Sequence, residues 1–159
     1  MNGSYETSGQ AVTFSAAGLQ APTSRTVSVR VTGPTGQTAT DTATVNVIWN
    51  FGGFSGKNEG RPSLTSGKAG ANLNLRFTLG GNQGMDVIAA GYPRSGAFTC
   101  GGSPLLDATE PVSADLNISD GGQYLFNWKT NKAWANTCRS FVLKLADGTY
   151  RYVDVFFDK

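Results

Sequence analysis

The chain has 159 residues, of which 15% are charged, and its formal net charge is +2. That charged share is well below the usual quarter, and without a basic block the chain is predicted to engage neither nucleic acid nor an anionic membrane surface. Histidine is absent, which removes the commonest general base, the Ser-His and Cys-His nucleophile pairs and the commonest zinc ligand.

The length suits one large domain or two small β-domains. Glycine is abundant, at 21 residues, and Ser, Thr and Asn are plentiful, as in exported all-β proteins. No apolar run reaches the length of a membrane-spanning helix, so no membrane insertion is predicted. The opening MNGSYETSGQ lacks the basic, apolar, small-residue order of a signal peptide. For an exported domain, the expectation is a signal upstream of Met1.

In chain order, Ala11 to Ala16 is a first strand candidate, with Val12 and Phe14 inward. Val27, Val29 and Val31 then alternate with Ser28, Arg30 and Thr32, the period of a half-buried strand. A turn at GPTG (Gly33 to Gly36) follows. Ala43, Val45, Val47 and Trp49 alternate with Thr42, Thr44 and Asn46, completing a hairpin near residue 49. The Gly-rich, aperiodic stretch 50–63 reads as an interdomain linker. Leu73, Leu75, Phe77 and Leu79 form the next alternating set, ended by GGNQG. Met85 to Ala90 is a further apolar run. Residues 104–122 read as a loop-like region. Tyr124, Phe126 and Trp128 share one strand face, and Lys132 to Asn136 allows at most one helical turn. Phe141, Leu143 and Leu145 lead into Asp147-Gly148, a pair favoured in tight hairpins, and Tyr150 to Phe157 is the return strand. Helical periodicity is nearly absent. The fold class predicted is all-β.

Two resemblances refine this reading. The run SRTVSVRVTGPTGQTATDTATVNV, Ser24 to Val47, resembles the C-terminal part of a PKD domain, an immunoglobulin-like sandwich of exported microbial proteins. A complete domain of that architecture has about seven strands over roughly 100 residues, many more than residues 1–49 offer. Either strands before Met1 belong to it, or another chain supplies them by strand addition. Residues 64–157 resemble the PxKF family. The matching stretches are LNLRFTLGGNQG (Leu73 to Gly84), AAGYPRSG (Ala89 to Gly96), Cys100, YLFNWKTNKAWANTCR (Tyr124 to Arg139) and LKLADGTYRYVDVFF (Leu143 to Phe157). Asn74 and Arg76 stand in place of the proline and lysine of the family's name. The resemblance implies an accessory module of large secreted bacterial proteins and supplies no catalytic residue. Together the two imply immunoglobulin-like β-sandwich architecture: two β-modules, 1–49 and 64–159, joined by the linker 50–63.

Cys100 and Cys138 carry the strongest chemical signal. Two cysteines far apart in an exported β-protein usually pair, and the alternative is a pair of buried free thiols. No C-x-x-C spacing suggests redox activity. Tyr124, Phe126 and Trp128 are assigned to the core, since aromatics at period two bury large area. Trp134, in TNKAWAN, has two readings: a cap on the core beside the disulfide, which is the expected role, or a platform that stacks on a sugar ring. Tyr92 is the best second exposed aromatic, and a Tyr92–Trp134 surface would favour carbohydrate binding. GGNQG lacks both the P-loop Lys-Ser/Thr and a strand-to-helix context, so it reads as a turn. Asp107, Glu110, Asp115 and Asp120 offer oxygen ligands for Ca²⁺ without EF-hand spacing, and solvated turn carboxylates are the default. No metal, cofactor or catalytic residue is assigned.

The expectation is therefore a non-catalytic module, extracellular or on the cell surface, that serves spacing, adhesion or assembly. Its partners would be neighbouring domains or chains that add strands. The alternative is a carbohydrate-binding module of a secreted hydrolase, with polysaccharide on Tyr92 and Trp134.

Overall fold

Thr and Val suit a pleated, half-buried surface, and the two Thr/Val-rich stretches pair as antiparallel strands. β1 is Thr23–Thr32 and β2 is Thr38–Val47, in register from Thr23 opposite Val47 to Thr32 opposite Thr38. Between them Gly36 donates its N–H to the Gly33 carbonyl at 3.0 Å, closing the GPTG turn. The structure, a computed structural model, describes residues 8–9, 11–57, 64–103 and 110–159. It divides into one unit up to Ile48 and a second from Trp49 to Lys159. All described strands fall in three sheets, with no α-helix among the described residues.

In the first unit β1 and β2 form a two-stranded sheet by themselves. No residue of either strand is buried, and Val29 and Val31 are 49% and 63% exposed. The expected strand over Ala11 to Ala16 does not form, and its supposedly inward Val12 and Phe14 are exposed.

The second unit contains β3 (Thr65–Lys68), β4 (Asn72–Thr78), β5 (Arg94–Phe98), β6 (Glu110–Pro111), β7 (Ala114–Ile118), β8 (Gln123–Lys129), β9 (Thr137–Lys144) and β10 (Tyr150–Asp158). One sheet has the order β3-β10-β9-β5-β6 and the other β4-β8-β7. β3 runs parallel to β10; the other pairings are antiparallel. The two sheets face each other through aromatic rings. Phe126 and Trp128 of β8 lie 5.6 and 5.2 Å from Phe141 of β9, and Trp128 lies 5.6 Å from Phe157 of β10. Tyr124, Phe126 and Trp128 are at most 1% exposed. The buried Tyr124 hydroxyl is satisfied: it donates to the Gly84 carbonyl at 2.9 Å and accepts from the Gln83 N–H at 2.8 Å. The loop after β4, which includes GGNQG, thus closes over the core through this phenol.

Three sequence expectations change here. The first part of the supposed linker belongs to the second unit. Trp49 and Phe54 are buried, Gly52 and Ser55 donate N–H groups to the Thr78 and Arg76 carbonyls of β4, and Phe51 and Phe54 both pack on Phe77. Aromatic burial outweighs the local glycine content; residues 58–63 lie outside the described set. Trp49, expected to continue the alternation of β2, lies beyond the strand's end at Val47, and its N–H donates to Asp147 Oδ2 at 2.9 Å. The apolar run Met85 to Ala90 lies outside the named strands; Val87 is fully buried and Ile88 bridges Leu145. Part of the loop-like region is a strand: β7 alternates half-buried Ala114, Leu116 and Ile118 with exposed Asp115 and Asn117.

Candidate functional site

β8 ends at Lys129, and the chain turns back into β9 through TNKAWAN. Asn131 makes that turn compact. Its side-chain oxygen accepts from the Ala133 N–H at 2.9 Å, capping a single 3-10 turn, Lys132–Trp134. Thr137 then fastens the exit by donating its hydroxyl to the Trp134 carbonyl at 2.6 Å. The turn sets the Trp134 ring on the end of the two-sheet stack, 5.8 Å from Trp128 and 5.7 Å from Phe157. Trp134 is half-buried.

Arg139 follows on β9. Its place in the alternation puts it on the core side with Phe141 and Leu143, an unusual position for a cation. It lies opposite Val155 of β10 and Ala97 of β5. The guanidinium stacks over Trp134, 4.1 Å from the ring centre. Nε donates to Ser95 Oγ at 3.2 Å, and an Nη donates to Glu110 Oε2 at 3.4 Å. The Arg139 side chain is only 9% exposed, whereas that of Glu110 is 78% exposed. The ion pair is therefore long and open to water on its acidic side, a geometry of small net worth.

These groups line a cleft of about 490 Å³, together with Lys129, Thr130, Asn131, Lys132 and the Pro111 to Ser113 segment. Its lining carries three cationic side chains against one carboxylate, with several hydroxyl and amide groups between them. The Cys100–Cys138 disulfide lies next to it in sequence, tying the end of β5 to the start of β9 with a Cα separation of 5.2 Å.

Tyr92 lies elsewhere. Its ring packs edge-on against Tyr150 with centroids 5.9 Å apart. Tyr150 and Phe157, the latter a neighbour of Trp134, sit near opposite ends of β10, roughly 20 Å apart along an extended strand. The structure does not bring Tyr92 and Trp134 together. Trp134 has Arg139 on one side and Trp128 and Phe157 around it, which is the geometry of a cap. Among the described residues no group of three or more His, Cys, Asp or Glu is arranged to hold a metal ion. Asp107 lies outside the described residues, and Glu110 is engaged by Arg139.

Sequence reasoning passed over Arg139, Ser95 and Lys129. The signal for Arg139 was a charged residue at an inward position of an otherwise apolar strand face. Ser95 and Lys129 gave none, because only the fold joins β5 to the end of β8. Comparisons with protein family models, curated proteins and solved structures give no match to this chain.

Proposed function

We propose that this chain is an exported, non-catalytic accessory module that works by assembly, its first unit recruiting strands from a neighbouring copy of the chain. The carrying observation is β2. Its second edge is joined by no third strand among the described residues. It presents Thr, Ala, Val and Asn with one charge, Asp41, along ten residues. Soluble proteins usually blunt such an edge with lysine, proline, a bulge or a cover. A two-stranded hairpin is also marginal in water, and added strands are the ordinary remedy. The PKD resemblance of Ser24 to Val47 points the same way, since that architecture needs more strands than are described here.

In this reading the second unit is an immunoglobulin-like β-sandwich of PxKF type that supplies a stable body. The Cys100–Cys138 disulfide favours an oxidising, extracellular setting. The carbohydrate reading that pairs Tyr92 with Trp134 gains no support from their separation.

Hydrogen exchange at several protein concentrations tests the proposal. Amides of β2 gain protection as concentration rises, while those of β9 and β10 stay protected throughout. Protection of β2 that is independent of concentration would overturn it.

A further inference from the structure

The cleft at the end of the second unit holds a cation in an environment that does not fully use it. Arg139 is held from three sides: Trp134 under its plane, Ser95 on Nε and Glu110 on one Nη. No partner among the described residues takes the remaining Nη. Burying a guanidinium is costly unless the charge is compensated, and the compensation here is one carboxylate at 3.4 Å whose side chain is 78% exposed. The guanidinium sits over the indole and is bonded through Nε, and its fork matches a carboxylate. Lys129 and Lys132, both exposed, add positive charge at the rim. Ser113 and Asn131 supply a hydroxyl and an amide around it, while the Thr130 hydroxyl donates to the Ala71 carbonyl. The volume falls within the range of small-ligand sites.

We propose that this cleft binds the carboxylate of an acidic saccharide, with Arg139 as anchor and Glu110 as a built-in competitor that swings out when the ligand enters. The charge selects the acid; the hydroxyl and amide lining suits a sugar better than an apolar side chain. Trp134 acts by holding the guanidinium in place. The site lies within the second unit and does not depend on the β2 edge.

The sign of two substitutions separates a ligand site from a structural brace. The full chain is titrated with trigalacturonate at low salt by calorimetry, with galactotriose as the neutral control and acetate as the bare carboxylate. Saturable binding of trigalacturonate alone is expected. Arg139→Gln weakens it by about ten-fold or more, as loss of a charge-assisted pair does. Glu110→Gln tightens it by about three-fold, the scale of an exposed ion pair. Lys129→Gln with Lys132→Gln, at exposed positions, weakens binding without touching the core and serves if Arg139→Gln does not fold. Equal binding of galactotriose, acetate saturating at the same concentration, or weaker binding by Glu110→Gln would each overturn the proposal.

Discussion

The guanidinium of Arg139 lies 4.1 Å from the centre of the Trp134 ring, so the indole that caps the core and the cation that lines the cleft form one structural unit. The stack ties the 3-10 turn that follows β8 to the start of β9. It also links two otherwise unrelated roles, since whatever loosens the cap also frees the arginine. Trp134→Ala is expected to cost about 2–3 kcal/mol, toward the low end for a large aromatic because the ring is only half-buried. Urea unfolding measures the loss.

The disulfide closes a loop with a sequence separation of 38. On the chain-entropy model this stabilises by about 4 kcal/mol. Cys100→Ser with Cys138→Ser is expected to lower the unfolding free energy of the second unit by that order. Reductant added to the wild type should reproduce the shift in midpoint.

Tyr124 is buried for its ring and bonded through its hydroxyl. Tyr124→Phe keeps the stack on Phe77, whose centroid is 5.1 Å away, and leaves the Gln83 N–H without its acceptor and the Gly84 carbonyl without its donor. A cost of about 1–3 kcal/mol is expected. Thermal unfolding checks it, and faster exchange of the Gln83 amide locates it.

Two glycines separate backbone strain from collision. Gly148, at φ +87, has open space where a Cβ would stand, so Gly148→Ala meets only the left-handed penalty, about 1–2 kcal/mol. Gly122, at φ +73, would place a Cβ 2.7 Å from the Asn82 backbone nitrogen and 2.8 Å from the Gly81 carbonyl carbon. Gly122→Ala is therefore expected to cost at least about 1 kcal/mol more than Gly148→Ala. Denaturant midpoints of the two variants give the comparison.

The readable parts of the fold were those whose own side chains announce them. β8 shows the alternation of Tyr124, Phe126 and Trp128, and the β9–β10 hairpin announces itself by its apolar strands on either side of Asp147-Gly148. β5 did not read as a strand because Ser95 and Gly96 are buried by neighbours rather than by hydrophobicity. β3 pairs with β10 from the other end of the unit, a contact no local window contains. The stretch Asn50 to Lys57 read as a linker because glycine masks the pattern of Phe51 and Phe54. Of the cleft, only Trp134 and Glu110 were visible as candidates, because the site is assembled by the pairing of β5, β6 and β9.

Strand addition at the β2 edge shows itself in the mass of the chain in solution, read by light scattering over a concentration series. The comparison is Thr42→Lys with Thr44→Lys, which places edge charges on exposed β2 positions and blocks strand addition. The wild type is expected to rise from monomer mass toward dimer or larger as concentration increases, while the lysine variant stays monomeric. A wild type that remains monomeric throughout, or a variant that associates equally well, would contradict it.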